Sequence, residues 1–371
     1  MILFLAQNDF FTKENNGGLA ITRRNYQILC NIFGKENVEV AVIAPDNSSF
    51  GFQSNPKLIW LEGNLRGLKT TINELFNHTY ITGKGEKTLF RLLSLRHYDM
   101  IWLDSTHYGS LAKKIHKKFD VKIISYAYDF ESEYMLMYCK PSIRKPHFYL
   151  KMKRVRQNER DAVLYSDRFI CISERDRSLY QQHYQHDVDL VFPVTLLDQY
   201  NGASKQTTEQ YLLFVGSYFA PNIEGVEWFA KNVAPSINIK TKIVGNGMEK
   251  LKDNMFPDII EIIGRADNLS LYYTEASAVI LPIFSGSGMK VKTAEAMMYG
   301  KPLIGTDEAL QGYNVDGLKG VYRANTSAEF IDAVKSVSKE GGYFQEVRNS
   351  FLRNCETSAL EMKVKKLIDE L

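Results

Sequence analysis

The chain has 371 residues, 44% of them hydrophobic and 24% charged, which is enough for two α/β domains with separate cores. A formal net charge of +3 is nearly balanced, so an acidic polymer partner is not implied globally. Four cysteines, Cys30, Cys139, Cys171 and Cys355, are scattered without metal-ligand spacing and read as reduced, mostly buried thiols of a cytosolic protein.

Met1-Ile-Leu-Phe-Leu-Ala6 is too short, and lacks the basic flank, to be a signal peptide, so it reads as a first strand. No run approaches the roughly 20 apolar residues that span a bilayer. Short apolar runs then alternate with longer amphipathic segments, a pattern that predicts two parallel, doubly wound sheets. The first set of strands is expected at 2–6, 38–44, 58–61, 100–103, 121–126 and 169–172. The second set is expected at 212–215, 242–244, 259–263, 279–281 and 303–305. Between them, 197–210 is polar, contains Asn201-Gly202-Ala203-Ser204-Lys205 and has no apolar periodicity, so it reads as the linker. The expected domains are therefore 1–197 and 211–342, followed by a helical tail over 343–371 that begins after Gly341-Gly342.

Open α/β sheets bind ligands beyond the carboxyl ends of their strands, so each loop after a strand is a candidate site. After the first strand, Gly17-Gly18 opens a helix running into Thr22-Arg23-Arg24, where bare backbone could meet an anion or simply give the helix its entry. His107 lies in Ser105-Thr106-His107-Tyr108-Gly109 after the strand ending at Leu103, and Asp129 and Glu131 follow the next one. These carboxylates could orient hydroxyls or cap the helix that follows. From 140 to 156 the chain carries Lys140, Arg144, Lys145, Lys151, Lys153, Arg154 and Arg156, with no acidic residue, among Phe148, Tyr149 and Leu150. Such a mixture suits either a solvated helix face or contact with an anionic leaflet.

The densest chemistry lies in Gly286-Ser287-Gly288-Met289-Lys290-Val291-Lys292-Thr293-Ala294-Glu295, continuing to Gly300-Lys301-Pro302. A small-residue loop opening into a helix can direct backbone N–H groups and the positive end of the helix dipole at an anion. Lys292 and Glu295 are three apart and share a helix face, so an ammonium and a hydroxyl-binding carboxylate can address one ligand. Lys290 contributes only if the helix begins after it.

This run resembles the donor-site signature of retaining GT-B-fold glycosyltransferases of the GT4 type, in the branch that reads Gly-x-Gly-x-basic-x-Lys-x-x-Glu-Ala. A second match, Leu213-Phe214-Val215-Gly216-Ser217 followed by Pro221-Asn222 and Trp228-Phe229, resembles the start of that family's C-terminal donor domain. The resemblance covers the C-terminal half by motif and the N-terminal half by pattern alone. It implies two Rossmann-like domains facing a cleft, and a tail that crosses back to the first domain. The donor contacts it implies are Gly17, Gly18, Gly216, Ser217, Gly264, Arg265, Gly286, Ser287, Gly288, Met289, Lys290, Lys292 and Glu295, with Glu295 on the ribose. It further implies catalytic roles for Lys290, Lys292 and His107, the histidine meeting the transferred sugar, and acceptor contacts for Asp129 and Glu131.

The departures from the pattern are as informative. Many relatives carry an Arg and a Lys where this chain has Ser217 and Asn222; Asn222 reads here as the cap of a helix over 223–232. The first of the family's two glutamates falls at Ser287. The diphosphate charge is then expected to rest on Lys290 and Lys292, and sugar contacts on the backbone of 286–289. The resemblance implies a metal-independent transferase without a cofactor, taking a UDP-sugar and a glycan, lipid-linked or protein acceptor, with retention, in bacterial surface-polysaccharide or glycoconjugate synthesis. The expected location is cytoplasmic, with peripheral contact at the inner face of the membrane through 140–156, and nucleic acid is not an expected partner. The competing readings are a sugar-nucleotide epimerase of the same fold and a non-catalytic subunit that binds a partner glycosyltransferase.

Overall fold

The computed structural model describes residues 1–11, 17–45, 58–63, 81–138, 146–202, 210–253, 258–286, 288–340 and 342–371. Two compact units emerge, one of Met1–Pro193 with Glu361–Leu371, the other of Val194–Leu360.

In the first unit, β1 (Ile2–Ala6), β2 (Val38–Pro45), β3 (Leu58–Gly63), β4 (Met100–Leu103), β5 (Lys122–Ala127), β6 (Arg168–Cys171) and β7 (Leu190–Val191) form one sheet. Its order is β3-β2-β1-β4-β5-β6-β7, with every neighbouring pair parallel. Every residue of β1 and β4 is buried, as expected of central strands covered by helices on both faces. The covering helices are α1 (Gly17–Phe33), α2 (Gly83–Leu95), α3 (Gly109–Lys118), α4 (Glu131–Tyr138), α5 (Pro146–Tyr165) and α6 (Glu174–Tyr184). On one face the core joins Leu3, Leu5, Ile101, Leu103, Leu111 and Ile115, while Phe130, Phe169 and Tyr180 centre a second cluster near β6.

The second unit holds β8 (Tyr211–Val215), β9 (Lys240–Val244), β10 (Ile260–Gly264), β11 (Ala278–Leu281), β12 (Leu303–Gly305) and β13 (Val321–Arg323), in the order β10-β9-β8-β11-β12-β13. All pairs are again parallel. Its helices are α7 (Ala220–Asn232), α8 (Leu269–Glu275), α9 (Val291–Met298), α10 (Asp307–Leu310), α11 (Ser327–Glu340) and α12 (Gln345–Asn354), with the start of α13 (Thr357–Asp369). Both sheets are doubly wound, the GT-B arrangement, and each reverses its strand order once, beside β1 in the first and beside β8 in the second. At such a reversal the loops leaving adjacent strands diverge to opposite faces, which opens a crevice beyond the carboxyl ends.

Eleven strands lie where hydrophobic patterning expects them, with ends displaced by one or two residues. The two additional strands, β7 and β13, are edge strands of two and three residues, too short to show a period. The expected tail over 343–371 is two helices, broken at Cys355, where the chain leaves helical geometry and Glu356 bridges to Leu196. Only Glu361–Leu371 groups with the first unit; α12 and the start of α13 group with the second, and the chain passes between units at Pro193, ahead of the polar stretch. Residues 203–209 of that stretch, and Cys139, lie outside the described residues. Among the described residues, no helix is long and apolar enough to cross a membrane.

Candidate nucleotide site

β8 and β11 are neighbours at the reversal of the second sheet, and their carboxyl ends lead into the two loops that the motifs mark. After β8 come Gly216 and Ser217; after β11 comes the loop that reaches α9 at Val291. Gly216 is bare for a reason of space. A Cβ there would lie 2.9 Å from Asn222 Nδ2 and 3.0 Å from Lys292 Nζ, so any side chain would separate the two loops.

Lys292, in the first turn of α9, points its ammonium back across β8. The Nζ donates to Asn222 Oδ1 and lies 4.6 Å from the centroid of the Phe214 ring. Asn222 is itself turned by a bond from its Nδ2 to the Ser217 carbonyl at 2.8 Å. The expected cap at Asn222 is thus corrected: α7 starts at Ala220 with Pro221 in its first turn, and the Asn222 amide faces the loops instead. Burial pushes the Lys292 amine down to about 7, against the pull of Glu295 and with the push of Lys290.

Glu295 sits one turn further along α9, and its Oε2 accepts from the Tyr273 hydroxyl at 2.8 Å. Burial holds its carboxyl above the ordinary range, while Tyr273 and Lys292 oppose the rise. Tyr273, on α8, stacks on Tyr299 with centroids 5.1 Å apart and planes 2° from parallel. Lys301, of the Gly-Lys-Pro end of the motif, spends its ammonium on the carbonyls of Thr274 and Ala276 at 2.7 and 2.9 Å. It therefore secures the end of α8, and with it Tyr273.

The loop between β11 and α9 is pinned from several sides. Gly286 and Gly288 have φ of 147° and 60°, conformations that side chains disfavour. Met289 is buried, and the Tyr313 hydroxyl donates to the Lys290 carbonyl at 2.7 Å. Lys290 occupies the N-cap position of α9 without a side-chain cap bond; its ammonium donates to Glu308 Oε1 at 2.7 Å and to the Gly288 carbonyl at 2.8 Å. Lys290 therefore brings a charge already balanced by Glu308, whereas Lys292 has no ion pair among the described residues. Ser287 lies outside those residues.

Gly264 ends β10 with φ of 78°, and its carbonyl accepts from Gly245 N at 2.7 Å. Arg265 follows, exposed, with its Nε 3.8 Å from Asp267. Neither makes a recorded contact with Lys292 or Glu295.

The remaining sequence candidates belong to the first unit, where they form a cluster of their own. His107 Nε2 is 3.4 Å from Glu131 Oε2, and its Nδ1 is 2.6 Å from Gln7 Nε2, which also donates to Ser105 Oγ at 3.1 Å. Burial alone would lower the imidazole pKa, but the charge and hydrogen bond of Glu131 win and hold it above its ordinary value. Glu131 is correspondingly lowered, its own burial notwithstanding. Asp129 gives its carbonyl to the Tyr180 hydroxyl at 3.2 Å. Gly17 and Gly18 form the exposed first turn of α1; the Gly18 carbonyl accepts from Thr22 Oγ1 at 3.2 Å, and Thr22 reaches Tyr128 OH at 2.7 Å. Tyr128 in turn donates to Asp104, so the start of α1 is tied to the ends of β4 and β5. Sequence reading missed Gln7, Tyr273 and Glu308; their signals lay in tertiary neighbours, with no motif of their own.

Residues 209–340 match the family model of glycosyl transferases group 1. That segment contains every residue of the β8–β11 site. Over 78% of each chain, the sequence is 19% identical to an uncharacterized 44.6 kDa protein in the cps region of Klebsiella pneumoniae. In fold, it is similar to sucrose-phosphate synthase of Thermosynechococcus elongatus, with a TM-score of 0.75 and 13% identity over 100% of this chain and 98% of that one. HepE of Anabaena, in a complex with UDP and glucose, gives a TM-score of 0.67 and 12% identity over 100% and 99%. A TarM variant of S. aureus in complex with fondaparinux, alpha-GlcNAc-glycerol and UDP gives 0.64 and 10% identity over 99% of each chain.

Proposed function

We propose that the protein is a glycosyltransferase that seats a nucleotide sugar on the second unit and transfers the sugar to a hydroxyl-bearing acceptor with retention. The observation that carries this reading is the arrangement at the carboxyl ends of β8 and β11. A lysine with no ion pair among the described residues, a helix start without a side-chain cap and one carboxylate a turn away converge there, inside the segment that matches the glycosyl transferases group 1 model. In this reading, the diphosphate lies along Gly216 and the first turn of α9, within reach of Lys292. The ribose hydroxyls donate to Glu295, and the base lies beside the loop after Gly264, near Arg265. The sugar rests against the backbone of 286–289. A UDP-linked donor is the choice that the UDP complexes of the HepE and TarM relatives favour.

In the transfer step, the bond between the anomeric carbon and the diphosphate oxygen breaks, and its electron pair leaves with the nucleoside diphosphate. The acceptor oxygen bonds the anomeric carbon on the same face, and its proton passes to the departing phosphate oxygen. Charge grows on the phosphate as the bond opens, so a fixed ammonium and helix N–H groups stabilise the transition state more than the ground state. The reading assigns this task to Lys292, with Lys290 in support, and requires no divalent cation. The acceptor is assigned to the first unit, with the His107–Glu131 pair and Asp129 as the groups that meet its hydroxyls. A lipid-linked glycan acceptor would place the protein at an anionic leaflet, reached through α5.

The test is the rate of nucleoside diphosphate release across UDP-, GDP- and ADP-sugars, with and without glycan and lipid-linked acceptors. Release should be faster with the right acceptor and unchanged by chelator. A donor epimerised in the absence of acceptor would assign the site to an isomerase. Absence of turnover, with stable binding to a second glycosyltransferase, would assign it to an accessory subunit.

A further inference from the structure

Lys292 stands apart in its surroundings. A protonated amine has three N–H donors; one goes to Asn222 Oδ1, and no other acceptor is recorded for it among the described residues. The side chains that face it are the Phe214 ring from β8, the Asn222 amide from α7, and Glu295 from its own helix. Lys290 adds a like charge that Glu308, on α10, balances, and Tyr273, on α8, occupies one oxygen of Glu295. Asn222 is buried, with 8% exposure. Its amide cannot turn over without cost: with Nδ2 committed to the Ser217 carbonyl, Oδ1 must face the ammonium, and the flipped orientation would set two donors against each other.

We infer that Asn222 is a positioning residue that holds the Lys292 ammonium against the β8 loop and leaves its other two N–H groups directed at the diphosphate of the donor. This rests on the nucleotide-sugar reading above. It assigns a purpose to a neutral amide at a position where a charged group would otherwise be expected. A second lysine there would repel the first, whereas an amide oxygen favours the charged form of the amine without neutralising it. It also accounts for Gly216, since a side chain at that position would press on both Asn222 and Lys292.

The experiment measures the binding of UDP-glucose between pH 6 and 9 by calorimetry, in the native protein and in Asn222→Ala, Asn222→Asp and Lys292→Met. The diphosphate of UDP-glucose is a diester with no proton to lose near neutrality, so the pH dependence reports on the protein. Native affinity should fall as pH rises through the Lys292 titration, which burial brings to about 7. Without the amide oxygen, Asn222→Ala should bind roughly 10- to 100-fold more weakly above neutrality, the scale of a lost hydrogen bond to a charged group. It should recover most of that loss at pH 6, because the midpoint moves down. Asn222→Asp should move the midpoint up, even though its own charge weakens binding at every pH, and Lys292→Met should flatten the profile. Opposite shifts in the two Asn222 variants separate positioning of a charge from support of the loop. Native midpoints in both folded variants would overturn the inference and leave the nucleotide reading standing. Absence of UDP-glucose binding by the native protein at any pH would overturn both.

Discussion

At the scale of single residues, the two lysines of the motif are unequal, and the inequality follows from what each one touches. Lys290 is paired with Glu308 and helps to hold the loop, whereas among the described residues Lys292 donates to an amide oxygen, faces a ring and has no ion pair. Lys292→Ala should therefore cost on the order of 3 kcal/mol of transition-state stabilisation, or about 100-fold, mostly in kcat. Lys290→Ala should cost less in kcat, because the charge it removes is already balanced. The pH dependence has a definite sign. The free-enzyme profile, kcat/KM, should lose activity as pH rises through about 7, where Lys292 gives up its proton. The kcat profile should lose activity at higher pH, because a bound diphosphate raises the pKa of the amine beside it. Steady-state kinetics across pH checks both, and coincident alkaline limbs for the two parameters would remove Lys292 from contact with the diphosphate.

At the scale of elements, α5 makes the basic run concrete. Tyr149, Lys153, Arg156, Arg160 and Leu164 fall on one side of the helix, and all but the two apolar residues at its ends are cationic. Tyr149 is 61% exposed and its neighbour Leu150 49%, while Phe148, Met152 and Val155 pack inward as a cluster with Met135. The same helix buries Glu159, where desolvation pushes the carboxyl up to about 7, but that group faces α4 and α6 through Ser132 and Tyr184 rather than solvent. Lys140, Arg144 and Lys145 lie outside the described residues. If this face meets an anionic leaflet, each cation near the surface adds about 1 kcal/mol. Replacing Lys153, Arg156 and Arg160 with Gln should then weaken binding to phosphatidylglycerol vesicles by roughly 100-fold or more, with little effect on neutral vesicles, as sedimentation would show. Equal binding by native and variant protein would return the run to a solvated helix face.

Some elements are legible in the amino-acid sequence and others depend on distant neighbours. Strands such as β1, β4, β8 and β11 are buried on both sides, so they appear as continuous apolar runs that composition alone reveals. β7 and β13 owe their strand character to the neighbours β6 and β12, and a segment of two or three residues carries no period to read. Cys355 breaks the last helical stretch because Leu196 and Glu356 bridge there, a contact between residues remote in sequence. That Lys292 and Glu295 share one helix was visible from their spacing. The assignment of Asn222 was not: its place before an amphipathic run suggests a cap, and only the approach of α9 to β8 shows where its amide turns.

At the scale of the whole molecule, each unit carries its chemistry where its strand order reverses. In the first, Gln7 follows β1 and His107 follows β4; in the second, Gly216 follows β8 and the 282–290 loop follows β11. Topology thus concentrates the chemistry-bearing loops in two places, and the proposed function seats the nucleotide at the second. The central claim is the location of the diphosphate. A crystal structure of the protein with UDP tests it most directly. Phosphate oxygens should lie within hydrogen-bond distance of Lys292 Nζ and the first N–H groups of α9, and ribose hydroxyls on Glu295. UDP bound elsewhere, with Lys292 still held only by Asn222 and Glu295 only by Tyr273, would contradict it.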